Sequence, residues 1–209
     1  MISVLLVDDQ ALVRAGLRML CRSAGDIAVV GEASAGAAAV RLTQDTKPDV
    51  VFMDLHMPGM DGIEATRAIT ASVPVSRVVV LTTFDDDDHL YPALQAGACG
   101  FLAKDASPPQ LLQAIRQAAA GDSPFSPDVL RRLVNRALAE RQEPTENDLT
   151  PREREVVALV GSGSTNQEIA DAMHVGITAV KSYIATAMTK TGSRNRVLLA
   201  VFAVRHGLA

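Results

Sequence analysis

Residues 49–62 read DVVFMDLHMPGMDG, and the fold follows from this stretch. Val50, Val51, Phe52 and Met53 form an uninterrupted apolar run, the pattern of a parallel strand covered on both faces. The run stops at Asp54 and breaks at once into a turn. In open α/β sheets chemistry collects beyond the carboxyl ends of the strands, which makes Asp54 a candidate reactive group. A lone Asp at a strand end more often only caps a loop or helix. Here Asp61 suits that task better, because it precedes Gly62, Ile63 and Glu64 as an acidic N-cap with Glu three places on. Asp54 is left for another purpose.

The same strand-then-helix alternation extends outward on both sides. Apolar runs at Ile2–Val7, Ala28–Ala33, Val78–Leu81 and Gly100–Ala103 read as strands. Helical spacing recurs over Ala11–Cys21, over Gly36–Gln44, from Ile63, after the acidic run Asp85–Asp88, and over Pro108–Ala120, where Ser107, Pro108 and Gln110 form a capping signature. Pro92 is expected in or near the first turn of the fourth helix, where it would shorten it. The class is α/β, a doubly wound five-stranded parallel sheet.

Such a sheet brings the strand ends to one crevice: Asp8 and Asp9 after the first strand, Asp54 after the third, Thr82 and Thr83 after the fourth, Lys104 after the fifth. Three carboxylates there repel one another, and a hard divalent cation relieves the repulsion. Mg²⁺ takes carboxylate, carbonyl and water oxygens and also suits an arriving phosphoryl group. Thr82 and Lys104 supply the hydroxyl and ammonium that such a group's oxygens need. Each residue alone has an ordinary explanation as a cap or a solvated side chain; four strand ends agreeing in this order is the informative observation.

The chain of 209 residues is long enough for two domains. Hydrophobic residues make up 48% with only 3% aromatic and no Trp, so the cores are built from Ala, Val and Leu. No run of eighteen apolar residues and no leader pattern occurs, which reads as a soluble, cytoplasmic protein without a membrane partner. Cys21 and Cys99 lack metal-ligand spacing and read as reduced core thiols. The net charge of −4 hides an asymmetry: residues 1–122 carry −6 and residues 150–209 carry +3. Only the tail suits a polyanion.

Gly, Asp, Ser and Pro over Gly121–Pro127 mark the end of a first domain at about residue 122. A polar helix, Asp128 to about Gln142, is expected within a linker spanning 123–147, closed by an acidic break. Residues 148–209 read as a domain of four helices. Thr150, Pro151 and Glu153 form one capping box and Thr165 with Glu168 another. A helix over Asn166–Met173 joins through His174, Val175 and Gly176 to one over Ile177–Thr191, a helix-turn-helix pattern whose second helix would enter a DNA major groove. Spacing alone leaves a helical protein-interaction module open. A last helix is expected over Ala200–Gly207.

LLVDD, DVVFMDLHMPGMDG, VVVLTTF and GFLAKD together resemble the flavodoxin-like receiver domain of two-component response regulators. LTPREREVVALVGSGSTNQEIADAMHV with the following VKS resembles the LuxR-type DNA-binding domain of the NarL/FixJ response regulators. The resemblance implies that Asp54 accepts a phosphoryl group from a sensor histidine kinase. It implies Mg²⁺ on Asp9, Asp54 and the backbone carbonyl of His56, with Asp8 acting through water. Lys104 would pair with the phosphoryl, and Thr82 and Phe101 would shift with it. In the tail, Lys181 and Ser182 would face the groove, with Lys190 the other basic residue of that helix. Thr165, Asn166, Arg194 and Arg196 would approach phosphates, and the last helix would form a dimer surface.

The implied function is a transcription regulator, not an enzyme, with promoter DNA, a second copy of the chain and RNA polymerase as further partners. The recognition helix departs from the family's usual pattern at Gly176, Tyr183, Thr186 and Thr191, and its two lysines predict weak binding by a monomer. Two alternatives remain at this level: a receiver serving as a phosphorylation-independent dimerisation scaffold, and an aspartate-nucleophile phosphohydrolase, whose Asp-x-Asp motif LLVDDQ lacks.

Overall fold

A computed structural model of the chain describes residues 1–82, 87–125, 129 and 149–209. The expected linker helix, apart from Val129, and the positions Thr83, Asp85 and Asp86 lie outside the described residues. The chain divides into two compact units, Met1–Ser126 and Pro127–Ala209.

The first unit alternates β1 (Ile2–Val7), α1 (Ala11–Ser23), β2 (Ile27–Ala33), α2 (Gly36–Thr46), β3 (Val50–Asp54), α3 (Gly62–Ser72), β4 (Arg77–Thr82), α4 (Asp87–Ala96), β5 (Gly100–Ala103) and α5 (Pro108–Ala120). All strands pair in parallel in the order β2-β1-β3-β4-β5. The chain moves to one side of β1 for β2 and to the other for β3, so the switch point lies beyond the ends of β1 and β3. Every residue of β3 is buried, as a strand covered on both faces requires.

Alternate residues of the strands feed two cores. Val4, Leu6, Phe52, Val79 and Leu81 pack with Leu17 and Cys21 of α1 and Leu111 and Ile115 of α5. Leu5, Val7, Val51, Met53 and Val78 pack with Ala39 of α2 and Ala65 and Ile69 of α3. A fully buried Leu or Phe of this kind contributes about 1.5–3 kcal/mol, so the sheet is a rigid base for its loops. Cys21 and Cys99 are buried and free; burial pushes the Cys21 thiol up to about 11 and raises Cys99 as well.

Pro92 lies at the sixth position of α4 and not in its first turn, at the local loss of one backbone donor. The α5 start is capped as its sequence predicts, with the Ser107 amide and hydroxyl both donating to Gln110 Oε1, at 2.9 and 2.8 Å.

The second unit holds, among the described residues, α6 (Pro151–Gly161), α7 (Asn166–Met173), α8 (Ile177–Thr191) and α9 (Arg196–Arg205). Its core joins Val156, Val157 and Val160 of α6, Ile169 and Met173 of α7, Val180 and Ile184 of α8, and Leu199 and Ala203 of α9. The last helix begins at Arg196, not at Ala200 as the sequence suggested. Asn195 is the cap that reading missed: its side-chain oxygen accepts from the Leu198 amide at 2.8 Å, which satisfies one of the first-turn donors. Gly161 lets α6 and α9 approach closely, since a Cβ there would fall 2.7 Å from that of Ala203.

Candidate functional site

The ends of β1, β3, β4 and β5 bring Asp8, Asp9, Asp54, Thr82 and Lys104 to the switch point. Carboxylate oxygens of Asp8, Asp9 and Asp54 all lie within 4.8 Å of one another. Asp8 is fully buried and Asp54 is 2% exposed, whereas Asp9 is exposed. Lys104 Nζ lies 2.9 Å from Asp8 Oδ2 and 2.9 Å from Asp54 Oδ2. One ammonium thus serves two buried carboxylates.

The loops around this cluster are tightly determined. Asp8 Oδ1 accepts from the Gln10 amide at 2.8 Å, and the Arg14 guanidinium donates to the Asp8 carbonyl at 2.6 Å. Asp61 caps α3 by accepting from the Glu64 amide at 2.7 Å, the task its sequence position indicated. Gly62 is a feature the sequence reading passed over. A Cβ at position 62 would fall 2.1 Å from the Asp54 carbonyl oxygen and 2.7 Å from Leu55 Cα. Only glycine lets α3 start against the strand end that carries Asp54.

The electrostatics follow from burial. Burial raises the Asp54 carboxyl above its ordinary value, and Asp8 adds to this, against the lowering effect of Lys104. Burial acts to lower Lys104, but hydrogen bonds and charge from Asp54 and Asp8 outweigh it, so the ammonium is held more firmly protonated. The sum of Asp8, Asp9, Asp54 and Lys104 is still −2.

Asp8 Oδ2 is buried, and its near partner is the Lys104 ammonium that it shares with Asp54. A buried carboxylate oxygen of this kind, in an all-oxygen donor set with surplus negative charge, fits a hard divalent cation.

Thr82 is 4% exposed and pairs in register with Ala103, one position beyond the pair Asp54 and Leu81. The Lys104 amide donates to the Thr82 carbonyl at 2.8 Å. Phe101 is buried on β5. The His56 side chain is exposed, and its ring meets that of His89 edge-on, with centroids 5.3 Å apart. No local pattern marks His89, because the contact joins the β3–α3 loop to α4.

In the second unit, α7 and α8 are linked by the left-handed residue His174, with the Val175 amide donating to the Ala170 carbonyl at 3.0 Å. Val180, Ile184 and Ala187 turn α8 inward, and Lys181, Ser182 and Thr186 lie on its exposed side. Thr165 caps α7 in a reciprocal box with Glu168, and Arg194 is exposed.

Three residues named for DNA binding, Lys190 of the recognition helix and Asn166 and Arg196 among those expected near phosphates, make contacts within the domain. Lys190 Nζ pairs with Glu153 at 2.8 Å, linking α8 to α6. Asn166 and Arg196 are buried, and the Arg196 guanidinium donates to Asn166 Oδ1 at 2.6 Å and to the Ser164 carbonyl. These three side chains hold the domain together.

Residues 4–116 match the response regulator receiver domain family, and residues 147–203 match the luxR family of bacterial regulatory proteins. The chain belongs to the response regulators. It is 40% identical over 210 residues to the transcriptional regulatory protein LiaR of Bacillus subtilis, covering 100% of this chain and 99% of that one. It is 38% identical over 207 residues to the response regulator protein VraR of Staphylococcus aureus, covering 99% and 98%. Among solved structures, one of two RcsB dimers bound to two parallel DNAs is 27% identical with a TM-score of 0.58, covering 95% of this chain and 96% of that one. This response regulator is therefore a transcription factor with a phosphoacceptor receiver and a LuxR-type DNA-binding domain. Among the described residues no helix is long and apolar enough to cross a membrane.

Proposed function

We propose that Asp54 is the phosphoacceptor, and that its phosphorylation by a sensor histidine kinase drives dimerisation and promoter binding. The observation that carries this is the convergence of Lys104 Nζ on Asp8 and Asp54, at 2.9 Å from each. An Asp54 oxygen attacks the phosphorus of a phosphohistidine. The phosphorus–nitrogen bond breaks, its electron pair stays on the imidazole, and the phosphoryl group becomes an acyl phosphate on Asp54.

Lys104 offers a cation to the phosphoryl oxygens, and Thr82 offers a hydroxyl from the neighbouring strand end. Asp8, Asp9, Asp54 and the His56 carbonyl would hold Mg²⁺, which when bound neutralises charge on those oxygens. The rigid β3 terminus, with α3 pressed against it at Gly62, fixes the attacking carboxylate before the donor arrives.

In the DNA-binding domain, Lys181 and Ser182 read the groove, and Thr165 and Arg194 approach the backbone. The DNA-bound RcsB dimers of the solved relative support a paired mode of action. Two tethered domains gain avidity on paired half-sites that one lysine-poor helix alone lacks.

Intact mass after incubation with Mg²⁺ and a small-molecule phosphodonor tests the acceptor. A single phosphoryl adduct on the wild type that is absent from Asp54→Asn is expected. An adduct that persists in the variant refutes the assignment.

A further inference from the structure

Strand β5 is four residues long and lies at the edge of the sheet. Its inner side pairs with β4 over Gly100–Ala103. Its outer side is met by Pro124 and Phe125, at the point where the chain leaves the receiver. The Phe101 amide donates to the Pro124 carbonyl at 2.9 Å. Phe101 and Phe125 form an isolated parallel bridge, and their rings stack with centroids 6.0 Å apart and planes 24° apart.

Gly100 makes room for this contact, since a Cβ there would fall 2.6 Å from the Pro124 carbonyl and 2.7 Å from its ring. A missing side chain, a backbone hydrogen bond and an aromatic pair all serve the same contact. An edge strand normally leaves its outer amides open; here the departing chain covers one.

The other end of β5 runs directly into the acceptor site. Lys104 follows Ala103, its amide is held by the Thr82 carbonyl at 2.8 Å, and its Nζ is 2.9 Å from Asp54 Oδ2. From Phe101 to Lys104 an extended chain spans about 10 Å. A phosphoryl group added to Asp54 brings bulk and about two negative charges to the atoms Lys104 now contacts. Lys104 must move, and β5 is its immediate covalent neighbour. On the inner side Phe101 pairs with Val80 and Ala103 with Thr82, so a shift of Thr82 reaches the same strand.

We propose that Pro124 and Phe125 form a clasp on the edge of β5 that opens when Asp54 is phosphorylated. The segment leading towards the DNA-binding domain thereby reads the acceptor's state through β5. The proposal rests on the phosphoacceptor assignment. It makes Phe125 a positioning residue for the output, with no contact to the reacting atoms.

Hydrogen exchange of the Phe101 amide in the full chain tests it, with and without acetyl phosphate and Mg²⁺, and with intact mass read on the same samples. Wild type, Phe125→Ala and Phe125→Leu are compared, the last keeping apolar bulk so that folding is retained. In the wild type, phosphorylation speeds exchange at Phe101 by roughly 2- to 10-fold, the range an aromatic pair supplies. Phe125→Ala is already fast without the donor and changes little with it, Phe125→Leu is intermediate, and both variants still take up one phosphoryl group.

An adduct on the wild type with Phe101 exchange unchanged overturns the clasp and leaves the acceptor assignment standing. So does a Phe125→Ala variant as protected as wild type before phosphorylation. Absence of any adduct, with acetyl phosphate and with a cognate kinase alike, overturns the acceptor assignment and the clasp with it.

Discussion

Replacing Asp54 by Asn should make the metal-free receiver more stable, although it removes a partner of Lys104. With an oxygen of the buried Asp8 within 4.8 Å, Asp54 is repelled by roughly 3.5 kcal/mol at an effective dielectric constant of about 20, whereas the exposed Asp9 is screened by solvent and adds little. The attraction to Lys104 at 2.9 Å is roughly 6 kcal/mol on the same scale. The repulsion offsets about half of that attraction, and burying a carboxylate that is 2% exposed costs several kcal/mol more, the largest of the influences that raise Asp54. Asn fits the same space, still accepts from Lys104, and avoids both charge terms. A gain of about 1–3 kcal/mol is expected, which is a rise of roughly 3–5 °C in Tm per kcal/mol for a domain of this size.

The pH dependence has a definite sign. Burial raises the folded-state pKa of Asp54, so folding takes up a proton between the unfolded and folded values. The penalty is full above the folded pKa and vanishes below the ordinary value of 3.8. The advantage of Asp54→Asn should therefore be widest at neutral pH and close as pH falls. Millimolar Mg²⁺ should narrow it too, by binding the folded wild type preferentially. Urea denaturation of the full chain in chelator-treated buffer at neutral pH, following the receiver's transition, measures this. An Asp54→Asn receiver less stable than wild type there would refute the charge reasoning.

Gly62→Ala places a Cβ 2.1 Å from the Asp54 carbonyl, so it should cost about 1–3 kcal/mol and slow phosphoryl uptake, read by denaturation and by the rate of adduct formation. Arg196→Ala removes the guanidinium's bonds to the buried Asn166 Oδ1 and to the Ser164 carbonyl and should lower the DNA-binding domain's stability by about 1–3 kcal/mol, seen as an earlier second transition in urea. Glu153 is held below its ordinary value of 4.5, first by its hydrogen bond to Lys190 and then by the Thr150 amide. That contribution is present above 4.5 and is lost as pH falls through the lowered folded value, so Glu153→Gln should flatten the acid limb of a Tm-against-pH curve. Lys181→Ala should weaken promoter binding by the phosphorylated full chain by about 1–3 kcal/mol and relax specificity at the base pair it reads; unchanged affinity and specificity would remove it from the groove.

Much of this protein was legible along the chain because its signals are short-range. The apolar run before Asp54, the cap at Asp61 and the boxes at Ser107, Thr150 and Thr165 each lie within a few residues, and the observed starts of α3, α5, α6 and α7 follow them. The limits of α8 at Ile177 and Thr191 likewise agree with the local pattern. Asn195 was just as local and was overlooked, which misplaced the start of α9. Pro92 was placed too near the helix start, because the run Asp85–Asp88 offers several equivalent acidic starts and does not single out Asp87.

The sequence by itself determined the alternation of strands and helices, the gathering of Asp8, Asp9, Asp54, Thr82 and Lys104 at strand ends, and the helix-turn-helix pattern. Tertiary structure alone decided which charge meets which partner. Lys104 bridges Asp8 and Asp54, Lys190 turns to Glu153 across 37 positions, and Arg196 turns to Asn166 across 30. Gly62 and Gly100 became necessary only because a carbonyl from another segment comes against each, and Phe125 matters only because it lands on Phe101. Periodicity and capping depend on neighbours a few residues apart, whereas these pairings depend on distances that exist only once the sheet and the bundle have closed.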